Sequence, residues 1–129
     1  MTDLETSAKE AAEEARILFR EPRYRGACSR AYCAMFNAAR AMLVARGHPI
    51  ERVKTHKSVL RLFSDEFVRD GSFNVELARA LRKAADARHL ADYEGGVTEA
   101  EAAQVMATLE AFMGKAIAFL SKTAGRQEP

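Results

Sequence analysis

Residues 25–46 are apolar around most of a helical circumference, and this constrains the fold more than any other feature of the chain. At about 100° per residue, Ala27, Ala31, Ala34, Ala38, Ala41 and Ala45 form one ridge. Tyr32, Phe36, Ala39 and Leu43 form a second ridge on a neighbouring face, and only a strip with Arg30, Cys33, Asn37 and Arg40 stays polar. A helix of this kind belongs at the centre of a bundle, where its alanine ridge lets another helix approach closely. Gly47 caps it and His48-Pro49 ends it.

Four further segments have helical character. Residues 3–20 carry a mild stripe of Leu4, Ala8, Ala11, Ala12, Ala15 and Leu18, with a Thr2–Glu5 capping box before it and Pro22 after it. Residues 55–70 place Val59, Leu60, Phe63, Phe67 and Val68 on one face behind a Thr55 cap. Residues 74–93 follow an Asn74 cap and stop before Gly95-Gly96. The fifth segment opens on a Thr98–Glu101 capping box and carries Val105, Met106, Leu109, Phe112, Met113, Ala116, Ile117 and Leu120, the clearest helical period in the chain. Short connections between long helices predict an all-α fold, an antiparallel up-and-down bundle of about five helices. Its 129 residues suit one domain over 1–124, with a frayed tail over 125–129.

Composition excludes several function classes. The opening MTDLETSAKEAAEEAR is polar and acidic, unlike a secretory signal, and no apolar run approaches the roughly 18 residues of a membrane span. A cytoplasmic address is expected. Cys28 and Cys33 would point about 140° apart on a helix, too divergent to bridge. No CxxC, no neighbouring His and no Gly-rich phosphate loop is present, so neither a metal nor another cofactor is implied. Net charge is only +2, yet residues 16–61 hold eleven Lys/Arg against Glu21 and Glu51, a local +9 that the rest of the chain balances at −7. Such a patch suits an anionic partner (RNA, a nucleotide or an acidic protein surface), or else a solvated face paired with the acidic first helix.

The fourth segment holds a local conflict. Leu77, Leu81, Ala84, Ala85 and Ala91 share one helix face, with Arg88 near its centre and Asp92 close beside it. Charges at a core position are costly unless paired, and the i, i+4 spacing lets these two meet. The pair is either a structural ion pair or an anion-binding Arg held by its Asp in a cleft. Tyr93 follows, as a hydroxyl for the same pocket or an amphipathic helix end. His56, at the start of the third segment, reads as a partial cap or a general acid/base. Arg30, Asn37 and Arg40 face the same cleft or solvent.

The run SRAYCAMFNAARAMLVARG over 29–47 resembles the signature helix of the HEPN domain family, in its small prokaryotic UPF0332-like branch. THKSVLRLFSDEFVRDG over 55–71 resembles that branch's H-x-x-x-L-x-x-x-F block, with His56 at the His. RHLADYEGG, with the helix after it, resembles the R-x-x-x-D-Y element and the last helix. The resemblance covers nearly the whole chain in the expected order. It implies an antiparallel helical bundle, usually a homodimer. It also implies a metal-independent endoribonuclease of toxin–antitoxin type, with a nucleotidyltransferase-type antitoxin as partner. In such proteins an R-x4–6-H motif lies in a cleft at the dimer interface, where Arg holds the scissile phosphate and His moves protons about the 2′-hydroxyl. By that resemblance Arg88, Asp92, Tyr93 and His56 are the candidate catalytic residues, and Arg30, Asn37 and Arg40 candidate phosphate or RNA contacts. This chain departs from the motif: Tyr93, not His, follows Arg88, and Asn37 replaces a common His. Arg82 and His89 fit R-x6-H formally. The alternative is a non-catalytic helical module that dimerises and binds a nucleotide or a nucleotidyltransferase partner.

Overall fold

The structure is a computed structural model that describes residues 3–69, 71, 75–91 and 96–127, with residues 77, 86–91 and 124–127 described by backbone alone. Its described residues form five α-helices and no strand: α1 (Leu4–Arg20), α2 (Tyr24–Ala45), α3 (His56–Phe63), α4 (Val75–Ala91) and α5 (Glu99–Gln127). A 3-10 turn, Ile50–Arg52, precedes α3, and α3 passes directly into a π-helical turn over Ser64–Val68. The bundle matches the all-α expectation.

α2 is central, packing against α1, α3, α4 and α5. Its alanine ridge is the reason. Ala27, Ala31, Ala34, Ala38 and Ala39 are all buried, and so are Ala8, Ala11, Ala12 and Ala15 of α1. Arg30 opposite Glu14, and Gly26 opposite Leu18, show α1 and α2 running antiparallel. A Cβ added at Gly26 would lie 3.2 Å from Leu18 Cδ1, so glycine lets the two helices meet closely at this end. The larger side chains gather between α2, α3 and α5, where Phe63, Phe67, Phe112, Leu109, Met35 and Met42 are fully buried. Phe63 lies 5.1 Å from Phe67 and 5.6 Å from Phe112, ring centre to ring centre. No charged residue is buried among the described residues.

The helix ends follow their side chains. α1 is capped by Asp3, whose carboxylate accepts the Thr6 backbone N–H at 2.7 Å, one residue later than the expected Thr2 cap. A carboxylate there both satisfies an orphan N–H and complements the helix dipole, and the Thr6 hydrogen bond holds its pKa below the ordinary value. α2 ends in a Schellman turn: Gly47 N–H donates to Val44 O, His48 N–H to Leu43 O, and Gly47 adopts φ +102°. Thr55 caps α3 through the Ser58 N–H. The Thr98–Glu101 box forms reciprocally, with hydrogen bonds of 2.9 and 3.1 Å. α5 runs on to Gln127. The Asn74 cap lies outside the described residues.

Chain direction departs from strict alternation once. Arg40 Nε donates to Val53 O at 2.6 Å, and His56 reaches Tyr32, so residues 47–55 climb back along α2. α3 then descends beside α2 until Arg46 lies over the ring of Phe67 at 4.8 Å. α4 returns antiparallel to α3. Unlike the sequence expectation that no apolar run approaches a membrane span, α5 is by length and hydropathy alone apolar enough to cross a membrane between Glu99 and Thr123. Alanines raise that average, and the face bearing Ala102, Leu109, Phe112 and Ala116 is buried in the bundle.

Arg16 ties α1 to α5 with two hydrogen bonds to Glu110, at 2.8 and 3.0 Å. The Arg16 hydrogen bond holds the Glu110 carboxyl below its ordinary 4.5. A depressed carboxylate contributes stability above the unfolded-chain value and loses it as pH falls through the folded value. Half of Glu110 is solvent-exposed, so the pair contributes at most about 1 kcal/mol. Melting curves below pH 4.5 should therefore fall less steeply in Arg16→Leu than in the wild type. An identical acid limb would contradict the pairing.

Candidate functional site

α3 has two faces. Val59 and Phe63 are buried, which turns Lys57, Leu60, Arg61, Ser64 and Asp65 toward α4. The π turn at Ser64–Val68 adds a residue to the local turn, with Arg69 N–H donating to Ser64 O, and keeps Phe67 buried beside Phe63. Helical periodicity predicts one α-helix over 55–70. The wider turn explains the difference, because it fits both phenylalanines into one core. From α4 come Arg82 and Ala85, closing a groove of about 710 Å³. A second hollow of about 340 Å³ shares Leu60, Ser64 and Arg82 and adds Arg79.

The groove is cationic. Lys57, Arg61, Arg79 and Arg82 border these two hollows against one acid, Asp65. None of the four forms an ion pair among the described residues. Elsewhere the basic charge is used internally. Arg16 pairs with Glu110, Arg30 with Glu14 at 3.4 Å, and Arg46 with Glu66 at 3.6 Å. The solvated-face reading thus holds for Arg30, which meets Glu14 of the acidic first helix.

At one end of the groove stands His56, the residue before Lys57 and one turn from Leu60. It is exposed, yet its ring is held. Nδ1 is 2.8 Å from the hydroxyl of Tyr32, and the ring packs 5.0 Å from Tyr32 and 4.9 Å from Phe36. Thr55, not His56, caps α3. Arg40 and Asn37 are joined at 3.2 Å, with the Arg40 guanidinium 5.7 Å from the Phe36 ring centre. Their work here is to fasten the segment leading to His56. Arg30, Asn37 and Arg40 do not line the α3–α4 groove, whereas Arg82 does. Arg88 and His89 lie on the last turns of α4, and their side chains, with Asp92 and Tyr93 entire, are outside the described residues. Leu81 and Ala84, which share the predicted apolar face with Arg88, are buried.

Both cysteines are free, and burial pushes the Cys28 thiol up, which keeps it protonated and poorly nucleophilic. Among the described residues no group of three His, Cys, Asp or Glu is arranged to hold a metal ion.

This geometry of a small bundle with a His at the start of α3 meets its decisive observation in the family comparison: residues 1–118 match the HEPN domain. The chain belongs to the HEPN domain family. Its relatives include the protein named "Putative toxin MJ0605" of Methanocaldococcus jannaschii, 34% identical over 110 residues, covering 84% of this chain and 79% of that one. A UPF0332 protein of Gloeobacter violaceus is 32% identical over 123 residues, 93% of this chain and 95% of its own. A UPF0332 protein of Thermotoga maritima is 33% identical over 86 residues, 67% of this chain and 63% of its own. The residues missed in sequence are Lys57 and Arg61, although their i, i+4 spacing opposite Val59 and Phe63 marked a cationic face, and Tyr32, which looked like plain core.

Proposed function

We propose that this HEPN protein is a toxin-type RNA-binding protein that cleaves RNA without a metal ion, with the α3–α4 groove as its backbone track. The observation that carries this reading is the concentration of Lys57, Arg61, Arg79 and Arg82 along one groove with Asp65 as the only acid in its described walls. Unneutralised cations in a row attract a polyanion and gain entropy from the counterions it releases. In the reaction, the 2′-oxygen bonds to phosphorus and the P–O5′ bond breaks. One proton leaves the 2′-hydroxyl and one reaches O5′, giving a cyclic phosphate and a free 5′-hydroxyl. The cations stabilise the charge that builds on the phosphate oxygens. α3 and α4 run antiparallel, so the end of α4 carrying Arg88 lies toward His56, and a homodimer would complete the site.

Purified protein with a chelator present should convert an oligoribonucleotide to fragments ending in a cyclic phosphate. Arg82→Ala and Arg88→Ala should each slow this at least about tenfold, and expression should arrest growth. Intact RNA after incubation with folded protein, at any protein excess, overturns the ribonuclease reading. A second reading, a helical module that binds a nucleotidyltransferase-type antitoxin, draws on the apolar hollow of about 460 Å³ between Leu4, Ala41, Val44, Ile50 and Leu120. It is favoured if RNA is untouched and a co-expressed partner copurifies, with copurification lost in Val44→Glu.

A further inference from the structure

Asp65 is at odds with the groove it borders. Its carboxylate stands among Lys57, Arg61 and Arg82, where it repels the phosphates that those cations attract. Among the described residues neither the Asp65 carboxylate nor the neighbouring Ser64 hydroxyl has a hydrogen-bonding or ion-pair partner. Both side chains are exposed, yet the backbone beneath them is pinned. Phe63 and Phe67 are buried before and after them, and the wide turn between closes through the Arg69 N–H on Ser64 O at 3.3 Å. Ser64 and Asp65 are thereby turned into the groove. Ser64, Leu60 and Arg82 border both hollows, so they lie where the two meet. This junction is about 12 Å along α3 from His56, away from the end of the groove where cleavage is placed.

We propose that Asp65 and Ser64 read the ribose: the 2′-hydroxyl of a bound nucleotide donates to the Asp65 carboxylate and accepts from the Ser64 hydroxyl, so that the groove binds RNA in preference to DNA. This rests on the groove being an RNA track. The three groups are matched in kind. A carboxylate only accepts, a serine hydroxyl can donate, and a 2′-hydroxyl does both. That hydroxyl is the backbone group by which a protein tells RNA from DNA. Arg82, at the same junction, takes the adjoining phosphate, and Leu60 meets the apolar face of the sugar. The place of an acid among cations then has a reason. Its repulsion acts on the phosphates of RNA and DNA alike, whereas only RNA brings the hydroxyl that compensates for it.

Two oligonucleotides of one base sequence test this by binding alone. One is ribo and one deoxy, and both carry 5′-methylene phosphonate linkages, whose P–C bond cannot be cleaved. By fluorescence anisotropy the wild-type protein should bind the ribo form at least about fivefold more tightly. In Asp65→Ala the affinity for both should rise, because the repulsion is gone, while their ratio falls toward one. Ser64→Ala should lower the ratio and leave the deoxy form unaffected. Asp65→Asn, whose carbonyl still accepts, should keep part of the ratio. Both positions are exposed, so helix content should be unchanged, and if one variant fails to fold the other two still report the ratio. A wild-type ratio near one, with both forms bound, overturns the ribose contact and leaves the RNA track standing. A preference unchanged in Asp65→Ala or in Ser64→Ala also overturns the contact. A protein that binds neither oligonucleotide overturns the track along with it.

Discussion

Reversing Lys57, Arg61 and Arg82 to Glu is expected to weaken RNA binding by at least about a hundredfold at 0.1 M salt while leaving the fold intact. Each lost phosphate contact on a single strand removes about 0.7 from the slope of log K against log salt, so the triple variant should lose about 2. All three side chains are exposed, and none has an ion-pair partner among the described residues, so thermal stability should change little. Arg30→Ala provides the contrast. Arg30 faces Glu14 on α1, away from the groove, and its loss should leave the slope unchanged. Equal losses from Arg30 and Arg61 would mean that net charge, not the groove, governs binding.

The second large effect is on stability. Phe112 is fully buried and its ring lies 5.6 Å from Phe63, the residue that anchors the back of α3. Phe112→Ala removes the ring and leaves a cavity that α2, α3 and α5 cannot close, at about 3–5 kcal/mol. Domains of this size are stable by about 5–15 kcal/mol, so the variant should melt at least about 10 °C lower, as followed by circular dichroism. A loss below about 1 kcal/mol would contradict the packing of α5 against α3. Because Phe63 fixes the wall that bears Lys57 and Arg61, RNA affinity should fall in parallel as this variant loosens.

The bundle was legible because helical period is a local property. The alanine ridge of α2 announced a central helix, and the Thr55 and Thr98 caps could be read directly from residue type and spacing. The π turn at Ser64–Val68 could not be read in this way, because it results from fitting Phe63 and Phe67 into a core built by distant helices. The return of residues 47–55 along α2 was equally hidden, since it depends on Arg40 reaching Val53 O. Site residues followed the same division. His56 was singled out by its block, whereas Tyr32, which meets it, lies 24 residues away on a ridge that reads as plain core. Arg40 and Asn37, placed by the sequence in the cleft or in solvent, engage one another, and Arg40 also engages the Val53 carbonyl. Counting charge found the basic stretch, whereas only the fold shows which cations remain for a partner once Arg16, Arg30 and Arg46 have met their acids.

The central claim is that RNA follows the groove between α3 and α4. Backbone amide shift mapping tests it most directly, by titrating the isotopically labelled protein with an uncleavable 2′-O-methyl oligoribonucleotide. The perturbed amides should run from His56 to Asp65 and from Ala78 to Ala85, with the outer faces of α1 and α5 silent. Perturbations confined to α1 and α5, or none at oligonucleotide concentrations that saturate binding, would contradict it.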